Sequence, residues 1–531
     1  MYRKHYLQGG FPMLKNELKQ LSLYSTLYNK IPENHILKSI SRVVDFKFIN
    51  KLLEGSYCKY YGRPAKEPEM MAKLLILQYL YNLSDVQVIE ETGVNLAYMW
   101  FIGINPEDEL PDPSLLSKFR TQRLKETTLD DMIKEVVRQC VEKRIIKGTG
   151  ISVDCTHSNA NTVKLVPERV MKRLAQKILK NLKDETGDIP EDINQDIPDY
   201  KQIENHKEAK ATMKSYLEEL IEATQVQINP EEAVKTQKMI DTAREILDDP
   251  RFLQQKGVRS IVDKDARVGY KTKTESFFGY KVEYAMIAKE RIITAVNAYD
   301  GAYVDGTEYE ALYNRTKECG IKITKAYGDK AYFRQLIIEF LEEEKVDIYI
   351  PVSQSVYKMD ESRYTYNKDS DQWYCTMGNC TVKKKSFKRK KRGKEYNYLR
   401  YYFEREKCRN CPIRKECEKG TSVAKVLDIS VNTPKFYEYS QREKTEEFKQ
   451  EYKKRACHEC KNGEMKILHG MDRARGYGLR SMQTQAKLTA LAVNLKRIAN
   501  LISSFLNKIW VIMVINECYL EKLWVFKEKA A

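Results

Sequence analysis

The sequence predicts an α/β protein with a helical N-terminal domain, a helical insertion and a cysteine-rich β insertion. Apolar residues recur at helical spacing up to about residue 145, and strand-like and helix-like segments alternate over residues 146–352. Residues 353–440 break that alternation and hold five cysteines and a run of basic residues. A chain of 531 residues is long enough for two to four domains with substantial cores.

The N-terminal domain, residues 1–145, contains the outline of a helix-turn-helix. Helical periodicity predicts one helix from Glu67 to Tyr81. Ser84 is expected to cap a second helix, and Asn95 to begin a third after a turn at Thr92–Val94. This outline suits a DNA-binding unit and equally a plain helical hairpin. A further helix after Pro111 is expected to leave Lys118, Arg120 and Arg123 available to phosphates.

The central segment, residues 146–352, is expected to form the first part of a catalytic core. An apolar strand after Lys147 ends at Asp154, and a later one ends just before Asp329. Residues 165–258, highly charged and helical in character, are predicted to be an insertion without chemistry. The other predicted elements are strands at 279–288, 291–298, 321–327 and 346–352 and helices at 305–317 and 333–344.

The 353–440 insertion has two features of interest. Cys408, Cys411 and Cys417 are spaced to bind a structural Zn²⁺, with Cys380 or Cys375 as a fourth ligand. The basic run from Lys383 to Lys394 is expected to be a loop that tracks DNA phosphates without reading sequence, or else a solvated hairpin tip.

The C-terminal part of the core, residues 441–515, carries the most informative pattern. On one helix, Tyr452, Arg455, Glu459 and Lys466 would fall within a stripe about 60° wide, whereas Glu464 would point about 140° away from Glu459. A carboxylate between an arginine and a lysine can hold a metal ion beside a phosphodiester.

Asp154, Asp329 and Glu459 together predict a two-metal site. Aspartates at strand ends project into the cleft at the carboxyl edge of a sheet, and a helix bearing Glu459 could pack across that edge. Three carboxylates from separate elements can hold two Mg²⁺ or Mn²⁺ ions on opposite sides of a scissile phosphate.

The excess of basic residues indicates what kind of molecule the protein binds. A formal charge of +17 and a pI near 9.0 favour a polyanion, nucleic acid before membrane. Met1–Gly10 contains no apolar run of signal-peptide length, and the apolar run Ile509–Ile515 is too short to span a bilayer. We therefore expect a cytoplasmic protein without membrane contact, whose 12 cysteines are reduced.

The pattern Tyr-x2-Arg-x3-Glu-x6-Lys at Tyr452, Arg455, Glu459 and Lys466 resembles the YREK signature of DDE-type insertion-sequence transposases. Asp154 and Asp329 resemble that family's first and second catalytic aspartates. The resemblance spans nearly the whole chain and implies an RNase H-like mixed-sheet core. It also implies that the three carboxylates bind two metals, while Tyr452, Arg455 and Lys466 contact transposon-end DNA. Cys457 and Cys460 beside the glutamate depart from that pattern; they are a metal pair or ordinary packing.

The expected function is therefore DNA transposition. Such an enzyme binds the terminal inverted repeats of its element, cleaves the 3′ ends and joins them to target DNA. Acting on two ends suggests a homodimer in the complex with double-stranded DNA. Two alternatives stay open: a nuclease of the same fold that cuts without joining, and a non-catalytic DNA-binding repressor from a decayed element.

Overall fold

The computed structural model describes residues 22–57, 65–254, 257–272, 274–391, 393–417 and 424–528. The side chains of residues 126, 391, 394 and 505–528 are not described. The expectation about Met1–Gly10 therefore lies outside the described residues, and the side chains of Ile509–Ile515 do as well. Within the described part of the chain, no helix is both long enough and apolar enough to cross a membrane.

The N-terminal region is helical, as predicted. Its α-helices are α1 Ile36–Val43, α2 Phe48–Leu53, α3 Pro68–Leu80, α4 Asp85–Val94, α5 Leu96–Ile102, α6 Ser114–Lys118 and α7 Glu126–Glu142. The helix predicted from Glu67 to Tyr81 is confirmed as α3, which has Glu67 as N-cap and Pro68 in its first turn.

The turn predicted at Thr92–Val94 is wrong. Helix α4 continues through these residues, and the Thr92 hydroxyl donates to the Val88 carbonyl inside the helix. Asn95 alone separates the two helices, because its side chain accepts hydrogen bonds from the amides of Ala97 and Tyr98 at the start of α5. The two short helices are therefore joined more tightly than the sequence suggested.

The expectation that Arg120 and Arg123 are available to phosphates is also wrong. Arg120 forms an ion pair with Asp85 and donates to Gln78, and Arg123 donates to the Ser56 carbonyl. Both arginines lie on a π-helical turn after α6, so they fix this turn against the neighbouring helices.

The central segment forms one mixed sheet of six strands. The strands are β1 Gly150–Asn159, β2 Arg267–Tyr270, β3 Ser276–Ile287, β4 Ile292–Asp300, β5 Lys325–Tyr327 and β6 Asp347–Tyr349. β3 pairs with β1, β2 and β4 in antiparallel orientation, whereas β1, β5 and β6 pair in parallel. The protein is thus mixed α/β, and β5 and β6 are shorter than the strands predicted there.

Five helices accompany the sheet: α8 Pro167–Thr186, α9 His206–Gln227, α10 Val234–Leu247, α11 Tyr309–Glu318 and α12 Gln335–Glu343. The first three occupy the segment predicted to be a helical insertion. They pack around an apolar core of their own, in which Leu174, Ile178, Leu217 and Ile240 are completely buried. A separate core allows this segment to fold beside the sheet without contributing strands to it.

The cysteine-rich segment is largely β structure. Its elements are β7 Tyr364–Asn367, β8 Gln372–Cys375, β9 Thr381–Lys391, β10 Lys394–Phe403, α13 Arg405–Arg409, α14 Arg414–Cys417 and β11 Val426–Ser430. Of the two expectations for Lys383–Lys394, the loop is wrong and the hairpin is confirmed, since β9 pairs with β10 along this run. Trp373, which is completely buried, anchors the hairpin of β7 and β8.

The C-terminal segment contains α15 Thr433–Glu443, α16 Glu446–Tyr452, α17 Cys457–Gly463 and α18 Leu479–Glu528. The single helix predicted across Tyr452–Lys466 is wrong, because a 3₁₀ turn precedes α17 and a π-helical turn follows it. Helix α18 covers the edge of β4, where Asn494 and Gln483 exchange hydrogen bonds with the backbone of Ile293 and Ala298.

Candidate active site

Asp154 and Asp329 lie at the same edge of the sheet. The parallel pairing of β1 with β5 ends at Ser152 and Tyr327, and each aspartate follows two residues later. Asp154 is in the middle of β1, not at its end as predicted, because β1 continues along β3 as far as Asn159. Asp329 caps a short 3₁₀ turn and accepts a hydrogen bond from the Ala331 amide.

The Arg455 guanidinium links the two aspartates. Its Nη2 lies 3.3 Å from Oδ1 of Asp154 and 4.0 Å from Oδ2 of Asp329. Tyr452 belongs to the same cluster: its hydroxyl lies close enough to Arg455 and Asp329 for their charges to act on its pKa, which burial raises, and its ring stacks on Phe448. Four side chains selected from the sequence thus meet, and two carboxylates face a single cation.

Asp154 is an unusual carboxyl group. It is 7% exposed, and this burial raises its pKa from 3.8 to about 6. Arg455 and Asn462 oppose the shift by stabilising the carboxylate, whereas the negative charge of Asp329 adds to it. A buried carboxyl that titrates near neutrality beside a second carboxylate is typical of a catalytic or metal-binding site.

Asn462 and Tyr284 form a support for Asp154 that sequence reasoning missed. The Asn462 amide donates to Oδ2 of Asp154 over 2.9 Å, and the Tyr284 hydroxyl donates to Oδ1 of Asn462 over 2.8 Å. Tyr284 is also the direct partner of Asp154 in the pairing of β1 with β3. The only sequence signal was the position of Asn462, seven residues after Arg455 and hence on the same helical face.

His458 packs α17 onto β1. Its Nε2 is 2.7 Å from Oγ of Ser152, and its Nδ1 is 4.0 Å from Oδ2 of Asp154. Burial lowers the pKa of His458 to about 3, so the imidazole is neutral and its contact with Asp154 is not an ion pair. His458 therefore acts by packing and hydrogen bonding, and it fixes the depth of the helix on the sheet.

Glu459 and Lys466 stand apart from the cluster. Glu459 is exposed on α17, next to His458, and among the described residues it makes no hydrogen bond or ion pair. Lys466 lies in the π-helical turn, with Nζ 3.3 and 3.4 Å from the two ring nitrogens of His157. Burial lowers the pKa of His157 to about 4, so a nitrogen of its neutral ring can accept a hydrogen bond from the ammonium group. Because the helix is interrupted, the predicted stripe does not extend to Lys466.

A buried glutamate supports the other aspartate and was also missed. Glu283 is completely buried on β3, and its carboxylate accepts hydrogen bonds from the Tyr332 and Tyr303 hydroxyls and the Gly306 amide. Tyr332 lies three residues after Asp329. Glu283 consequently anchors the turn that presents Asp329 to the cleft.

Four of the cysteines line one cavity of about 320 Å³ in the cysteine-rich segment. They are Cys375, Cys408, Cys411 and Cys417, whereas Cys380 is not among the lining residues. All are free thiols; Asn379 donates to the Cys408 sulfur over 3.1 Å. Among the described residues these sulfurs are not gathered closely enough to hold one ion, so the zinc site with Cys380 or Cys375 as fourth ligand stays a prediction. Cys457 is buried and Cys460 exposed.

The donor set at the sheet edge suits a hard divalent cation in part. Asp154 and Asp329 supply carboxylate oxygens, the ligands that Mg²⁺ and Mn²⁺ prefer, and these oxygens already face a guanidinium cation. In the part of the chain that is described, no three His, Cys, Asp or Glu side chains are arranged to hold one ion. Two of the three predicted ligands, Asp154 and Asp329, therefore face the same cation, whereas Glu459 lies apart from them.

Comparison with known proteins gives matches to two family models and to solved structures. A solved piggyBac transposase synaptic complex with hairpin DNA is 11% identical, with alignment over 92% of this chain and 82% of that one. Its TM-score of 0.27 is too low to indicate a shared fold. No curated protein matches the sequence.

The family matches cover two separate parts of the chain. Residues 25–122, with helices α1–α6, match the model of a transposase domain (DUF772). Residues 374–499 match the model of a transposase DDE domain and include Tyr452, Arg455, Glu459 and Lys466. Neither match reaches the strands that carry Asp154 and Asp329. Together the two matches support a DDE-type transposase, an enzyme that acts on DNA.

Proposed function

We propose that this protein is a DNA transposase that binds the terminal inverted repeats of its element, cleaves their 3′ ends and joins them to target DNA. The observation that carries the proposal is the meeting of Asp154, Asp329 and Arg455 at one sheet edge, beside a helix inside the matched DDE domain. Residues up to 301 positions apart in sequence converge there, and the site is acidic within a chain of net charge +17.

An RNase H-like core is part of the proposal. Three antiparallel strands (β4, β3 and β1) continue into two parallel strands (β5 and β6), and the first aspartate lies on the central strand. The helix bearing Glu459 returns to this sheet after the cysteine-rich segment and packs on β1 through His458. This arrangement agrees with a catalytic core interrupted by an insertion after its fifth strand.

In this proposal Asp154, Asp329 and Glu459 hold two Mg²⁺ or Mn²⁺ ions. When bound, such ions activate the attacking water or 3′-hydroxyl and stabilise the leaving oxygen of the phosphodiester. The protein's own part is to keep Asp154 oriented through Asn462 and to keep Asp329 oriented through the turn held by Glu283. Glu459 is exposed one residue beyond His458 on α17, and we propose that its side chain turns toward the two aspartates when the ions bind.

Tyr452, Arg455 and Lys466 are proposed to contact the DNA end. Arg455 is partly buried, and its Nε has no hydrogen-bond partner among the described residues. A phosphate oxygen would satisfy that donor and add a second charge-assisted bond from the same planar group. Lys466 lies further along β1, beside His157, where it would engage a more distant phosphate.

The test uses duplex DNA that carries the repeats found on either side of the gene. The protein is expected to nick the 3′ ends in Mg²⁺ and to join pre-cleaved ends to a target plasmid. Glu459→Gln should abolish both reactions and leave end binding intact, whereas Glu446→Gln, an exposed glutamate of the same segment, should behave as the parent. Full cleavage by Glu459→Gln would refute the assignment of this residue.

The two alternatives are separated by the same assay. Cleavage without joined product would leave a nuclease of the same fold. Binding of the repeats with neither reaction in Mg²⁺ or Mn²⁺ would leave a repressor. Lys466→Ala is expected to weaken binding of the cut end, and an unchanged dissociation constant would make Lys466 a surface charge only. The stoichiometry of the end complex, measured by light scattering, tests the proposed homodimer.

A further inference from the structure

The basic run that was expected to be a loop forms a two-stranded ribbon, β9 and β10, which we call the basic ribbon. A third strand, β11, pairs with β10 only up to Tyr398, which lies opposite Phe387. Beyond that pair, apart from a hydrogen bond from the Val431 amide to the Asn397 carbonyl, the two strands continue without a third strand among the described residues as far as Lys391 and Lys394. Four further residues at about 3.3 Å each carry the ribbon about 13 Å beyond the sheet.

The two faces of the basic ribbon differ in charge and in composition. The inward face, on the side of the buried Tyr401, has three lysines that pair with two carboxylates: Lys384 with Asp371, and Lys388 and Lys390 with Glu395. Among the described side chains, the outward face has four cations around a single carboxylate, Asp428, and four aromatic rings. Its members are Lys383, Lys385, Arg389, Arg400, Phe387, Tyr396, Tyr398 and Tyr402.

The aromatic rings hold the arginines of the outward face in place. Arg389 lies over Phe387 and Tyr398, with its guanidinium carbon 5.8 and 5.2 Å from the ring centroids, and Arg400 lies 5.0 Å from the Phe387 centroid. Phe387 and Tyr398 pack together at 5.7 Å. Stacked guanidinium groups lose less side-chain freedom on binding than free lysines do, so this face is prepared for an anionic partner.

We infer that the outward face of the basic ribbon docks into the major groove of double-stranded DNA. A two-stranded ribbon is one of the two protein elements that this groove admits, and a projection of about 13 Å exceeds its depth of about 8.5 Å. The excess of cations faces the phosphates on both sides of the groove, and Tyr396, which is 47% exposed, lies near the tip where base edges are reached. The inference rests on the proposed function for its setting, because transposition supplies the DNA, but it concerns a surface outside the carboxylate cluster.

The test compares two double variants that each remove two positive charges from the basic ribbon. Lys385→Gln with Arg389→Gln alters the outward face, and Lys388→Gln with Lys390→Gln alters the inward face; both leave the Asp154 cluster untouched. Binding to a 30-base-pair duplex of arbitrary sequence is measured by fluorescence anisotropy at several salt concentrations. Circular dichroism and the thermal midpoint show whether each variant is folded like the parent.

The outward-face variant is expected to bind about tenfold more weakly than the parent. The slope of log K against log salt should become shallower by about two, since two phosphate contacts are lost. The inward-face variant should change the affinity by less than threefold. Equal effects of the two variants, or no effect of either, would overturn the assignment of the outward face.

Two further measurements test the groove and the form of DNA. Methyl green, which occupies the major groove, should lower the DNA affinity of the parent to that of the outward-face variant. Netropsin, which occupies the minor groove, should not. Displacement by netropsin alone, or tighter binding to a single strand of the same length, would overturn docking in the major groove. Cleavage of the repeat ends is scored separately. No cleavage by the parent would refute the proposed function, and retained cleavage by Asp154→Asn would refute the role of Asp154; either result leaves this binding result unaffected.

Discussion

The pKa of Asp154 gives the sharpest prediction about the site. If this carboxyl titrates near pH 6, a divalent cation must compete with a proton over the range in which an ordinary aspartate is fully ionised. At pH 5 a group with a pKa of about 6 is ionised in about one molecule in eleven, whereas a group at 3.8 is ionised in more than nine of ten. The affinity for Mn²⁺ should therefore be about tenfold lower at pH 5 than at pH 8.

The assay is the titration of free Mn²⁺ by electron paramagnetic resonance at pH 5, 6, 7 and 8, with circular dichroism to verify the fold at each pH. Asp154→Asn identifies the signal that belongs to this site, since it should remove the strongest class of binding. The same dissociation constant at pH 5 and pH 8 would show that Asp154 titrates as an ordinary solvated carboxyl, in contradiction to its burial.

The raised pKa also predicts how the stability of the metal-free protein depends on pH. The folded state binds the proton of Asp154 more tightly than the unfolded chain does, so stability is lost as pH rises from about 4 through about 6. A shift from 3.8 to about 6 corresponds to about 3 kcal/mol at pH 8. Asp154→Asn should thus melt at a higher temperature than the parent at pH 8 and at nearly the same temperature at pH 4; the reverse order would contradict this sign.

Two other predictions concern the groups around the cluster and the cysteines. Asn462→Ala removes a hydrogen bond to a carboxylate worth about 1.5–3 kcal/mol, so it should weaken Mn²⁺ binding about 10- to 100-fold. Tyr284→Phe should also weaken Mn²⁺ binding, by a smaller factor, because Tyr284 acts on Asp154 through Asn462. Asn181→Ala, a substitution in the helical insertion, should leave the affinity unchanged. For the cavity lined by four thiols, purified protein should carry about one Zn²⁺ per chain by mass spectrometry, and Cys411→Ser should lose it. Cys319→Ser, which alters a buried cysteine elsewhere, should retain the metal.

The two aspartates could be located from sequence because their signal is local. An apolar run that forms a buried parallel strand, followed by an aspartate, indicates a carboxylate at the carboxyl edge of a sheet whichever elements surround it. The extent of β1 could not be predicted in this way. Its second half, Cys155–Asn159, is polar and resembles a loop, and it is a strand only because β3 offers a long antiparallel partner.

The helix with Glu459 shows where a periodicity argument fails. The predicted stripe assumed 100° per residue over 15 positions, but a 3₁₀ turn and a π-helical turn change the rotation before and after α17. Arg455 and Asn462 still share a face, whereas Lys466 is carried to His157. Likewise, the lysines of the basic ribbon have low strand propensity, and the hairpin is stabilised there by cross-strand contacts such as the packing of Phe387 on Tyr398.

The environment of Asp154 explains why a stable fold retains so unfavourable a group. Burial makes its carboxylate costly, and packing α17 with its histidine directly over the strand increases that cost. Asn462 and Arg455 offset part of the cost, yet the pKa stays near 6, so neutralisation by a stronger cation is still favourable. An apolar residue at position 154 would stabilise the metal-free protein, and an exposed aspartate would bind a divalent ion only weakly. The Asp154 carboxylate is buried, and its negative charge is only partly compensated by its neighbours. This arrangement is expected if the role of Asp154 is to bind a cation.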